Sequence, residues 1–183
     1  MEDTIQTEGN DVAGPSWDIS QEKVSNIDNS GRDYEAFVAK VNGNVVAYLT
    51  FEDYPYENNA YIVRSFTEEN YRQKGIQTRL TDQLIEYMRT KDMEKIVGEI
   101  AIDNDISIQR RLNTKDPKTK EILRTTLRGM DEIKDAIKDE KVDPFSAVFV
   151  TYINEPVQDN LELDHFVSWV QNNLTHNRYN STT

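Results

Sequence analysis

The chain contains no cysteine. Disulfides, thiolate nucleophiles and thiolate metal sites are therefore excluded. Histidine is nearly as scarce. His165 and His176 are the only two, and they lack the i, i+4 spacing of a helical zinc pair. No apolar run is long enough to span a bilayer. The first residues, Met1-Glu2-Asp3-Thr4, lack the basic and apolar regions of a secretory signal, so a cytosolic protein is expected. The Asn-x-Thr sequences at Asn173 and Asn180 then read as chance matches to glycosylation acceptors. Basic residues are in deficit: 21 Lys and Arg against 33 Asp and Glu give a net charge of −12. Such a surface repels a phosphate backbone, so direct nucleic-acid binding is not expected. It suits a basic partner such as a polyamine, an aminoglycoside or a Lys-rich protein, or it serves solubility alone.

What remains is a chain of 183 residues, enough to bury a core. Residues 1–32 read as a polar arm with a first strand somewhere within Trp17–Val24. Residues 33–183 read as a single domain. Asp33–Val41 and Asn44–Phe51 alternate apolar and polar residues around Asn42-Gly43, a pair that tolerates positive φ and predicts a hairpin. Ala60–Phe66 and Lys95–Ile102 predict strands, and Ile76, Leu80, Leu84 and Met88 recur at helical spacing. Asn104–Leu112 predicts a short helix. Asp116-Pro117 looks like a helix start, with Asp as cap and Pro at the first helical position. Ile122, Leu123, Leu127, Met130, Ile133 and Ile137 then predict one long helix. Phe145–Ile153 predicts a last strand. The stripe Leu163, Phe166, Val167, Val170 and Leu174 predicts a last helix, with a fraying tail from His176. The expected class is α/β or α+β, a mixed sheet flanked by helices.

The most informative stretch is Arg72-Gln73-Lys74-Gly75-Ile76-Gln77-Thr78. A strand, a basic glycine-bearing turn and a helix start bring free backbone N–H groups to one point, where the helix dipole is positive. Gly75 lets the backbone approach a ligand, and Arg72 and Lys74 add charge. This predicts a phosphate or pyrophosphate site.

Glu69 to Leu80 resembles the Arg/Gln-x-x-Gly-x-Gly/Ala segment of the GNAT N-acetyltransferase superfamily, with Gln77 in place of the last small residue. The likeness covers roughly residues 34–112. It implies a GNAT-like sheet with extra C-terminal helices, and acetyl-CoA as co-substrate held by Arg72, Gln73, Lys74, Gly75, Ile76, Gln77 and Thr78. It implies that the backbone of Ser65, Phe66 and Thr67 pairs with the pantetheine arm. Asn104 either helps hold that arm or caps a helix. The family often places a Tyr seven residues later, as acid to the departing thiolate; here that residue is Arg111. The family's two helices between its first and second strands have no counterpart pattern here.

Acetyl transfer needs an acceptor amine without its proton and a stabilised oxyanion. Glu68 and Glu69 are the candidate bases, with Glu52 and Asp53 behind them; all four read equally well as solvated acids. Tyr54, Tyr56, Tyr61 and Tyr71 line a cleft or simply pack. Arg110 and Arg111 touch a 3′-phosphate or form a solvated helix face. The functional expectation is an N-acetyltransferase for a basic amine, a small polyamine-like molecule or a Lys-bearing protein. The alternative is a non-catalytic acidic binder that sequesters a basic protein, acting as a nucleic-acid mimic. No metal is expected, and oligomeric state is not addressed by the sequence.

Overall fold

A computed structural model describes residues 17–25, 31–138 and 146–180. Seven strands form one mixed sheet: β1 (Asp18–Ser25), β2 (Asp33–Val41), β3 (Asn44–Tyr54), β4 (Asn59–Thr67), β5 (Lys95–Ala101), β6 (Ile122–Leu127) and β7 (Ser146–Val157). The helices are α1 (Ile76–Thr90), α2 (Asp105–Leu112), α3 (Met130–Lys138) and α4 (Leu161–Asn180). The strand order is β1-β2-β3-β4-β5-β7-β6, and only β4 and β5 pair in parallel. The mixed, helix-flanked sheet expected from the sequence is present. Most of the expected N-terminal arm lies outside the described residues, but β1 pairs with β2 along its whole length, from Asp18 opposite Lys40 to Ser25 opposite Asp33.

The hairpin turn forms because Asn42 (φ 51°) and Gly43 (φ 79°) both take the left-handed conformation. The helix α1 buries Ile76, Leu80, Leu84, Ile85 and Met88 against Phe37 of β2, Leu49 and Phe51 of β3 and Ala60 of β4. A second cluster joins Ile100 and Phe149 to Ile108 and Leu112 of α2 and to Leu163, Val167 and Val170 of α4. The helix α4 runs through His176 to Asn180 instead of fraying there.

One expected element is wrong. The predicted long helix after Pro117 is a strand followed by a separate helix. Asp116 does act as a cap: its Oδ1 accepts from the backbone N–H of Lys118 (2.7 Å) and Thr119 (3.0 Å). The turn then ends at Lys120, which has φ 65°. Beyond it Leu123, Thr125 and Leu127 are buried in alternation, the period of a strand. Gly129 (φ 72°) separates β6 from α3. Two apolar patterns of different period, laid end to end, had looked like one helical stripe.

The β6–β7 pairing is interrupted between Leu123 and Thr125. Asn160 repairs the break. Its side-chain amide donates to the carbonyls of Leu112 (2.8 Å) and Leu123 (3.0 Å) and accepts from the Thr125 N–H (2.9 Å). One amide thus ties the end of α2 to β6 and the start of α4. Asn160→Ala leaves three backbone groups short of a partner, so it is expected to lower the unfolding free energy by about 2 kcal/mol, read from the urea midpoint.

Asp116 also pairs with Arg89 of α1. Burial works against its ionisation, but the N–H groups of Thr119 and Lys118 and the Arg89 guanidinium outweigh it and hold its pKa below the ordinary carboxylate value. A depressed folded pKa stabilises above the unfolded pKa and is lost as pH falls through the folded one. Asp116→Asn is therefore expected to be less stable than the parent at pH 7. The gap should close as pH falls below the ordinary aspartate pKa of about 4 and through the depressed folded one, as measured by urea unfolding across that range.

Candidate functional site

The parallel pairing of β4 and β5 covers Asn59–Ile62 opposite Lys95–Gly98 and then stops, although both strands continue. The divergence opens a cleft floored by strand ends. In β4, Thr50 of β3 pairs with Arg64 and Phe51 with Ile62, so a bulge leaves Val63 outside the β3 register. Two adjoining cavities occupy the cleft. The outer one, about 540 Å³, lies against the turn that opens α1 and includes Phe66, Thr67, Arg72, Gly75 and Thr78. The inner one, about 230 Å³, lies at the apex and includes Ile62, Val63, Gly98, Glu99, Arg110 and Arg111. Ser65, Gln77, Asn104, Ser107 and Arg110 line both.

The turn has the predicted form. Gly75 (φ 77°) precedes the first helical residue and no side chain caps the helix, so its first N–H groups remain available beside the outer cavity. Gln73 also adopts a positive φ of 61°. Arg72 folds back, its Nε donating to the Thr67 carbonyl at 3.2 Å. Lys74 leaves the cavity wall and sits 5.2 Å from the centre of the Tyr71 ring.

Gln77, in place of a small residue, points toward the strands. Its Nε2 donates to the Phe66 carbonyl (2.7 Å), the Thr67 hydroxyl (2.9 Å) and the Tyr48 carbonyl (3.2 Å). The larger residue therefore becomes a clasp between α1 and the end of β4. Its Oε1 is buried without a partner among the described residues.

Of the other predicted residues, Ser65, Phe66, Thr67, Gln73, Ile76 and Thr78 all line the cleft. Asn104 fulfils both readings in position: its side chain accepts from the Ser107 N–H (3.1 Å), capping α2, and it borders both cavities. The acids fare differently. Glu68 and Glu69 are exposed and line neither cavity. Asp53 receives the Tyr87 hydroxyl at 2.6 Å, and Glu52 receives that of Tyr54 at 2.9 Å. Among the described residues the one carboxylate bordering the cleft is Glu99. Sequence reasoning missed it; the signal was a lone acid inside the apolar run Lys95–Ile102. Burial raises the pKa of Tyr61, and the charge of Glu99 with a hydrogen bond to it raises it further, which places the two side chains together. Tyr71 borders the outer cavity, while Tyr54 and Tyr56 are exposed. His165 is exposed on α4.

Arg110 and Arg111 are not a solvated helix face. Arg111 is 8% exposed, and Arg110 is half-buried with its Nη2 3.4 Å from the Ser65 hydroxyl. Gly98 makes room for Arg111: a Cβ there would stand 2.8 Å from its Nη2. Burial, with the neighbouring positive charge of Arg110, pulls the Arg111 pKa down to about 10. Burial also lowers that of Arg110.

These parts suit the coenzyme: uncapped N–H groups and Arg72 at one end, two open strand ends along the arm, and a closed apex. Comparison with known proteins bears on this. A sequence profile described as "Acetyltransferase (GNAT) family" matches residues 4–110. Curated proteins give no sequence match. Among solved structures, a protein described as an acyl-CoA N-acyltransferase from Klebsiella pneumoniae aligns with TM-score 0.55 and 12% identity, over 76% of this chain and 99% of that one. The PaiA N-acetyltransferase from Thermoplasma acidophilum, solved with coenzyme A, aligns with TM-score 0.48 and 10% identity over 64% of this chain. That alignment spans 59% of the Thermoplasma chain, less than two thirds of its length. The diaminobutyrate acetyltransferase EctA from Paenibacillus lautus, solved with L-2,4-diaminobutyric acid and coenzyme A, gives TM-score 0.49 and 15% identity, over 64% of this chain and 69% of that one. The family match covers more than half of the sequence, and the chain belongs to the GNAT acetyltransferase family.

Proposed function

We propose that this protein is an acetyl-CoA-dependent N-acetyltransferase whose acceptor is a basic amine. The observation that carries the reading is the continuity of the cleft. The basic turn at Gly75 and the splayed ends of β4 and β5 border one pair of adjoining cavities. Acetyl-CoA supplies the activated acyl group. The N–H groups that open α1 and the Arg72 side chain would hold its pyrophosphate. Ser65, Phe66 and Thr67 would pair with its arm, and Asn104 would border it.

At the apex, Val63 lies outside the β3 register, and its backbone is the candidate donor to the oxyanion. Glu99 takes the base role first sought in Glu68 and Glu69, because it alone among the described acids borders the cleft. The net charge of −12 would draw a cationic acceptor toward the molecule. The competing reading, a non-catalytic acidic binder of a basic protein, draws on Arg111 in the family's Tyr position. It also draws on the short connection from Ser25 to Asp33, where the family has two helices. Transfer to any amine at all decides between the two.

Three outcomes are expected. Coenzyme should raise the melting temperature of the parent by mass action. Gly75→Glu, which puts a carboxylate where the phosphate would lie, should abolish that shift while circular dichroism stays unchanged. Unaltered coenzyme binding by the variant would mean that the turn is structural only.

Glu99→Gln should lower kcat by about 10²- to 10⁴-fold with the KM for acetyl-CoA little changed. A variant as fast as the parent removes Glu99 from the reaction. Activity toward a cationic acceptor should fall as salt rises from about 0.01 to 0.5 M, because screening weakens steering. A salt-insensitive rate on a neutral acceptor would contradict the charge argument.

A further inference from the structure

The inner cavity carries more positive charge than a neutral acetyl group needs. Arg111 is 8% exposed, borders the cavity, and has no carboxylate paired with it among the described residues. Arg110, beside it in sequence and on the same wall, has among the described residues only the Ser65 hydroxyl, at a long 3.4 Å. Glu99 borders the same cavity beside Tyr61, and it forms no ion pair with either guanidinium among the described residues. Isolated buried charge is costly unless something of opposite sign answers it. The protein leaves two such charges side by side, and the lack of a Cβ at Gly98 gives one of them its place. Elsewhere the fold neutralises its partly buried arginine: Arg89 has both Glu86 and Asp116.

We propose that Arg111, with Arg110 beside it, makes the inner cavity a carboxylate site. It is filled either by the acyl group of a dicarboxylic thioester or by the acid group of an amino-acid acceptor. This rests on the acyltransferase reading for the identity of the reaction, but not for the charge chemistry. The planar guanidinium matches a carboxylate in a two-point fork, which a lysine would not. The size also fits. At about 230 Å³, with Leu49, Ile62 and Ile100 among its walls, the cavity suits a short acid tail and is too small for a nucleotide. The pyrophosphate has its own place at the Gly75 turn. An acceptor bearing both an amine and a carboxylate reconciles the acidic outer surface with a basic inner wall.

The test uses matched pairs in which one member carries carboxylate that the other lacks, at constant ionic strength, on the parent and on Arg111→Met. The first pair, succinate against succinamide, needs no coenzyme. Succinate should raise the parent's melting temperature by about 2 °C more than succinamide, and this difference should vanish in Arg111→Met. The other pairs find the source by isothermal titration. Succinyl-CoA binding about tenfold tighter than acetyl-CoA assigns the carboxylate to the donor. Lysine binding about tenfold tighter than cadaverine in the presence of CoA assigns it to the acceptor.

Free Arg111→Met should melt at or above the parent temperature, since an unanswered buried charge has been replaced by an apolar side chain of similar length. A large drop would instead show a structural role and overturn the proposal. So would the absence of any carboxylate preference in all three pairs, or a preference that survives in Arg111→Met. If succinate is preferred and CoA itself does not bind, the carboxylate site stands and the coenzyme reading falls.

Discussion

The structure depends on two parallel strands that part company. Backbone N–H and C=O groups must find partners when buried, and a sheet interior normally supplies them. Here β4 and β5 pair only as far as Ile62 and Gly98 and then diverge. The outer strands hold the divergence open. On one side β3 stays paired with β4 out to Thr67, across the bulge at Val63, and on the other β7 keeps its register with β5 out to Ala101. A cleft between strand ends therefore survives folding without collapse. It is lined by groups that an extended ligand can satisfy as an added strand would.

The helices answer to that cleft in different ways. The helix α1 is anchored by an apolar face and delivers its positive end to the outer cavity. The Gln77 clasp fixes that end to the tip of β4. The helix α2 is short and could not hold its place by its own propensity. Its start is capped by Asn104, and its end is held through the Leu112 carbonyl by Asn160, a residue forty-eight positions further on. That anchoring is what positions Arg110 and Arg111 against Ser65 and Gly98.

Charge is distributed against the overall sign. The protein carries a net −12, yet the cleft is bordered by Arg64, Arg72, Arg110 and Arg111 and by a single acid among the described residues. The acidic exterior and the cationic interior wall set up two fields of opposite sign. The two fields act over different ranges, because surface charge is screened within about 10 Å at 0.1 M salt while buried charge is screened far less. The placement of Arg111 in the Tyr position replaces a proton donor by a permanent charge.

The local, regular features were legible in the sequence. The Asn42-Gly43 hairpin, the apolar stripe of α1 and the glycine-bearing turn before α1 each depend on neighbours within a few residues, and each formed where it was expected. The stretch from Pro117 to Ile137 was not legible, because the apolar residues of a strand and of the next helix happened to join into one apparent stripe. Which acid borders the cleft was not legible for a related reason. Whether a glutamate borders a cleft depends on which face of which strand it occupies and on where its neighbours diverge, so Glu68 and Glu69 beside the motif lie outside while Glu99 lies within. Composition fixed the absence of thiol chemistry and the sign of the net charge, and pattern fixed the strand, glycine-bearing turn and helix around Gly75. Only the tertiary structure decided that Arg110 and Arg111 face a cavity and not solvent, because their burial arises from packing a helix end onto a glycine in a distant strand, and no spacing within the chain records that contact.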